Sequence, residues 1–164
     1  MIGLWQRNVI GAAVSAATLA VIIGTTLWPD WTTYRESTDP EHVVDAGESG
    51  DAAGQTWRLD GVRYLNTSSN RLMPALPEGT LVHVVTLDSS GPGLPGCSGI
   101  ITDGQRRWSA ESVASYGPFP PDGTSSNCSK PGPVQFSFLL PDDVTPKAVD
   151  VTDWSGRILV RLML

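Results

Sequence analysis

An all-β domain, built as an antiparallel sandwich of about seven strands and tethered by one transmembrane helix, is the architecture this sequence predicts. Three observations predict it. Residues 9–28 form a run of 20 positions without a charge. After residue 54 the apolar residues alternate with polar ones, the period of half-buried strands. Gly and Pro together fill 30 of the 164 positions, and only 17% of residues are charged, which favours turns and short strands over long helices.

The helix comes first. At 1.5 Å per residue, VIGAAVSAATLAVIIGTTLW spans about 30 Å, the thickness of a bilayer core. Trp5 precedes it, and Trp28 and Trp31 close it, where interfacial anchors belong. Pro29 and Asp30 are expected to stop the helix. A cleaved signal peptide is the competing reading, but the run is long and no Ala-x-Ala site follows it. The segment therefore reads as a retained anchor held in membrane lipid. Arg7 and the amino terminus put residues 1–8 in the cytoplasm as a stub and the rest outside. Ala12, Ala16, Ala20 and Gly24 recur every fourth residue, a spacing that lets another helix approach closely. An alanine-rich anchor also produces such rows by chance, and Ala13 and Ala17 begin a second one.

Residues 29–53 read as a linker. They are polar and acidic, with Val43 and Val44 the main apolar pair, and too little surface to fold alone. A short helix near Glu41 to Ala46 is the one element they suggest. The sandwich then occupies residues 54–164. Its strands are read at Trp57 to Tyr64, Thr80 to Leu87, Gly99 to Thr102, Arg107 and Trp108, Val134 to Leu140, Ala148 to Val151 and Ile158 to Leu164. Asp103-Gly104 is a hairpin signal, and Trp154-Ser155-Gly156 joins the last two strands. Seven strands of this kind suggest an immunoglobulin-like arrangement, with a small barrel as the alternative. The last strand reaches the end of the sequence, so trimming it is expected to unfold the domain.

Only two cysteines occur, Cys97 and Cys128. Outside the cytoplasm they are expected to pair, closing a loop worth about 3–4 kcal/mol on the chain-entropy estimate. A redox pair would need a Cys-x-x-Cys beside a βαβ unit, which is lacking; pairing between chains is a lesser alternative. The bond would staple residues 109–133, a stretch with little periodicity that contains Tyr116, Pro118, Phe119, Pro120 and Pro121. Aromatic residues on a loop beside a rigid sheet often make a binding surface. Against that, Tyr116 and Phe119 can fold inward and cap one end of the sandwich, and this is the reading the sequence favours.

Signs of catalysis are few. His83 lies in a dense β-branched run and reads as a core or edge residue. A Ser-His-Asp triad around it has no Gly-x-Ser-x-Gly elbow. Asp142, Asp143, Asp150 and Asp153 are the nearest approach to a cation site and read as turn caps. No phosphate-binding glycine loop is present. Arg106 and Arg107 would point to opposite strand faces. Asn66-Thr67-Ser68 and Asn127-Cys128-Ser129 fit a glycosylation pattern. A formal net charge of −6 without a basic stripe argues against nucleic acid as a partner. No enzyme activity, cofactor or metal is expected.

CSGIITDGQRRW (Cys97 through Trp108), VQFSFLLPDDVTPKAVDV (Val134 to Val151) and the final ILVRLML resemble small actinobacterial envelope proteins. Those have a short stub, one anchor and an immunoglobulin-like outer domain. The resemblance implies a fold and a location and assigns no catalytic residue. An eight-residue stub houses no signalling domain. The expected role is therefore an accessory subunit of a larger membrane complex, contacting an integral membrane protein. The alternative is an independent envelope module that recognises a glycan, lipid or peptide through residues 109–133.

Overall fold

A computed structural model describes residues 3–66, 75–112 and 116–164. Helix α1 (Leu4–Ile22) passes through a π-helical turn (Ile23–Leu27) into α2 (Trp28–Thr38). Pro29 therefore does not end the helix, contrary to the sequence expectation. The reason is local: Trp28 N–H bonds the Ile23 carbonyl five residues back, and the proline then falls in the first turn of α2, where it needs no donor. The continuous stretch Asn8–Thr38 has 31 residues, and no part of its apolar window is buried against the sandwich. Its length is about 46 Å, well beyond a 30 Å bilayer core.

Nine strands follow among the described residues: β1 (Val43–Val44), β2 (Ser49–Ala52), β3 (Gln55–Leu65), β4 (Thr80–Ser90), β5 (Ser98–Thr102), β6 (Arg107–Ser109), β7 (Gly132–Pro141), β8 (Ala148–Thr152) and β9 (Ile158–Met163). They form two sheets, β1-β9-β8-β5-β6 and β2-β3-β4-β7, packed face to face as a sandwich. Among these nine strands, β1 with β9 is the parallel pairing and the others are antiparallel. The seven strands read from the sequence are all present. The boundary of the linker is corrected: residues 29–53 hold the end of the helix and two strands, and Val43 pairs with Arg161 instead of starting a helix. Strand β2 has the sequence Ser-Gly-Asp-Ala, with no apolar signal. It exists because Ala53 and Gly54, both at positive φ, turn the chain tightly into β3.

The core lies between the sheets. Ile101, Val149, Val151, Val160 and Leu162 face Trp57, Val85, Leu87, Val134, Phe136 and Phe138. Trp57 is fully buried, and its indole N–H donates to the Ala52 carbonyl at 3.2 Å. The sheets meet so closely at Gly99 that a Cβ there would sit 2.7 Å from the Phe136 ring. In β4, four consecutive residues, Val82 to Val85, are buried, so this strand is covered on both faces there.

Candidate functional site

Cys97 and Cys128 are bonded to each other, with Cα atoms 5.6 Å apart. The bond fixes the middle of the long loop, and backbone bonds fix the rest. Leu94 N–H donates to the Cys128 carbonyl, Glu111 N–H to Ser137, and Ser125 N–H to Pro133, while Gln135 N–H returns to Ser125. The loop is thereby laid along β7, the edge strand of its sheet. Edge strands present unpaired backbone groups, and this covering satisfies several of them.

Beneath the loop lies a cleft of about 220 Å³, lined among others by Cys97, Glu111, Pro118, Pro120, Gln135 and Ser137. Gln135 is buried; its Nε2 donates to the Pro118 carbonyl at 3.1 Å, and Arg63 donates to its Oε1 at 3.3 Å. Gly117 is buried against Ser137, where a Cβ would come within 2.7 Å of the serine Cβ. The expectation that Tyr116 and Phe119 both fold inward is corrected for Phe119. Tyr116 is half-buried, and Phe119 is 67% exposed. The backbone of Gly117 and Pro118 makes the contact with the sheet, which leaves the Phe119 ring standing off it.

Of the candidate helix-packing residues, Ala12, Ala16 and Ala20 lie on α1 and Gly24 in the π turn; all are exposed. Ile23, Leu27, Trp28, Trp31 and Tyr34 line an open apolar groove beside Asp30. Trp28, Trp31 and Tyr34 are the aromatics that would meet a lipid–water boundary.

Asp150 also departs from the sequence expectation: it reads as a turn cap, but it lies in mid-strand and is fully buried. Arg161 holds it at 2.6 and 2.8 Å, and Arg107 at 3.2 Å. The Asp150 hydrogen bond raises the Arg161 pKa above its ordinary value. Arg107 also donates to the Ser37 carbonyl at the end of α2, and Arg161 N–H donates to the His42 carbonyl at 2.9 Å. These three residues join the helix to the five-stranded sheet. Sequence reading had a signal for them: Asp150 and Arg161 are single charges inside otherwise apolar strands, and they are register partners.

The other candidates have structural places. Arg106 pairs with Asp103 and stacks over Trp108 at 5.3 Å, so Arg106 and Arg107 serve different partners. Backbone donors from Arg106 and Gln105 hold the Asp103 carboxyl down at about 2. Asp142 and Asp143 are exposed in the turn after β7. His83 is a core residue, packed edge-on against Tyr64 at 4.7 Å between ring centres. Neither of its nitrogens has a hydrogen-bond partner among the described residues, and burial lowers its pKa. Among the described residues no three His, Cys, Asp or Glu side chains are placed to hold a metal ion. The sequon at Asn66 extends beyond the described residues.

No protein-family model matches the chain, and no curated protein matches it. Among solved structures, the chain is similar to an uncharacterized β-sandwich protein from Clostridium difficile 630. The identity is 12% and the TM-score 0.40, over 75% of this chain and 93% of that one. It is also similar to a secreted protein from Mycobacterium tuberculosis at 12% identity and TM-score 0.44, over 74% of this chain and 96% of that one.

Proposed function

We propose that this chain is a non-enzymatic, single-pass membrane protein whose sandwich stands outside the cytoplasm and binds a component of the cell envelope through residues 109–133. The observation that carries the proposal is Phe119. A phenylalanine 67% exposed stands on a segment that a disulfide and backbone bonds hold against the sheet before any ligand arrives. Little conformational entropy is then lost on binding, which is how a small contact gains affinity. The disulfide itself supports an oxidising compartment. An N-terminus in the cytoplasm follows from Arg7 and the positive-inside rule. The likeness to actinobacterial envelope proteins and to the immunoglobulin-like arrangement belongs to the same proposal.

An accessory subunit is the second reading, favoured by the exposed row Ala12, Ala16, Ala20 and Gly24. That row ends in the π turn, a feature often found at functional sites. Site-specific photocrosslinking of the full-length protein in its native membrane separates the two. A crosslinker at position 119 is expected to capture an envelope component, while one at position 16 captures lipid. Capture of a multi-pass protein from position 16, with nothing from 119, would replace the binding module by the accessory subunit.

A further inference from the structure

The turn between β8 and β9 presents a second, separate surface. Asp153 locks it. Its Oδ1 accepts from Ser155 N–H at 2.8 Å, from the Ser155 hydroxyl at 2.6 Å and from Arg157 N–H at 3.1 Å. Its backbone N–H donates to the Arg157 carbonyl, and its carbonyl accepts from Gly156. Arg157 Nε lies 3.4 Å from Asp153 Oδ2. Burial works against the Asp153 charge, but the bonds from Ser155 and Arg157 outweigh it and hold the carboxyl below its ordinary range. Within this fixed frame Trp154 is 86% exposed, the most exposed of the large apolar side chains described. A rigid turn is thus used to hold an indole in water. Rigid aromatic side chains of that kind are the anchors on which binding energy concentrates.

Trp154 borders a groove of about 190 Å³ with Asp153, Arg157, Leu94, Pro95 and Leu159. Sites for drug-sized ligands start near 300 Å³, so this one takes about one ring. Its chemistry is an aromatic face beside a paired acid and base. The terminal nitrogens of Arg157 make no other hydrogen bond or ion pair among the described residues, and Asp153 Oδ2 carries only the long contact to Arg157. The pair offers donors and an acceptor to neighbouring hydroxyls while remaining close to neutral. A net charge of −6 disfavours an anionic ligand. A proline ring would use the indole and leave the donors idle. A hexose ring uses both, stacking its C–H face on Trp154 and sharing hydroxyls with Asp153 and Arg157.

We propose that the Trp154 groove is a subsite for one neutral hexopyranose ring of an envelope glycan. Gly96 lines this groove and Cys97 lines the loop cleft, so the two surfaces adjoin across the disulfide-bearing segment. The subsite does not depend on what the Phe119 loop binds. The test titrates the full-length protein in lipid nanodiscs with neutral glucose, mannose and galactose oligosaccharides, read by calorimetry. At least one series is expected to bind, with Trp154→Ala weakening it by about tenfold or more and Arg157→Leu by about threefold or more. Phe119→Ala should leave it unchanged. Trp154 is exposed, so its replacement leaves the fold intact. Absence of binding by all three series, or equal binding by Trp154→Ala, overturns the proposal. Loss in Phe119→Ala with Trp154→Ala unaffected assigns the sugar to the loop cleft and also overturns it.

Discussion

Asp150 and His83 are both titratable, both buried in mid-strand, and treated by the fold in opposite ways. Asp150 is 0% exposed and accepts from the guanidinium groups of Arg107 and Arg161; the Arg107 guanidinium also reaches the helix end, and the Arg161 backbone N–H reaches the chain before β1. His83 is 2% exposed and touches the edge of Tyr64, with both nitrogens unpartnered among the described residues. A buried charge is stable only when bonds converge on it; a buried group without them stays neutral. Asp150 joins separate parts of the molecule, whereas His83 fills space.

Removing the aspartate breaks this comparison most sharply. Asp150→Ala leaves two arginines without their shared acceptor and is expected to destabilise the sandwich by about 3–5 kcal/mol. Denaturant unfolding followed by tryptophan emission would measure it; an unchanged midpoint would show that the arginines find water instead. Reducing Cys97–Cys128 comes next. The closed loop, with a sequence separation of 31, is expected to contribute about 3–4 kcal/mol. The same unfolding experiment with and without reductant reads it.

A smaller effect sharpens the role of the cluster. Arg107→Gln keeps Arg161 on Asp150 but removes the bond to Ser37. About 1–2 kcal/mol is expected. Faster amide hydrogen exchange should be confined to residues 37–42, with the core strands unchanged. The smallest change in stability is expected at the histidine. His83→Leu removes no hydrogen bond among the described residues and should shift stability by less than about 1 kcal/mol near pH 8. Its signature is pH dependence. Burial puts the folded His83 pKa below 6.5, so the unfolded chain takes up the proton first. The stability associated with neutral His83 is fully present above pH 6.5 and is lost as pH falls through the lowered folded value. The leucine variant should lose that slope below pH 6.5. An unchanged slope would mean that another group titrates.

The strands legible from sequence were those with a period-two pattern and enough length to bury it. The run from Thr80 to Leu87 and the alternation of Val134, Phe136, Phe138 and Leu140 are such cases. Strands β1 and β2 were not legible, because two valines and a Ser-Gly-Asp-Ala segment bury almost nothing on their own. They are strands by virtue of partners far along the chain or a tight turn. Pro29 misled for a related reason: a breaker signal assumes a regular α-helix, and a π turn relaxes that constraint. The disulfide could be read from the count of cysteines. Phe119 could not be placed, since its exposure depends on how Gly117 and Pro118 meet β7. Trp154 was visible only as part of a turn, because sequence does not tell a buried tryptophan from a displayed one.

The unbroken helix has a mechanical consequence. A domain hung on a flexible tether tumbles freely and samples every direction above its surface. Here α2 is fastened to the five-stranded sheet at Ser37, and the four residues between the helix end and β1 are fastened to it at His42. For a helix set in a bilayer, such a joint restrains swivelling. Tilting or spinning the helix then turns the sandwich with it, and the domain behaves as a flag on a mast. Spinning would carry Phe119 and Trp154 around at constant height above the lipid, whereas tilting would raise or lower them together with the sandwich.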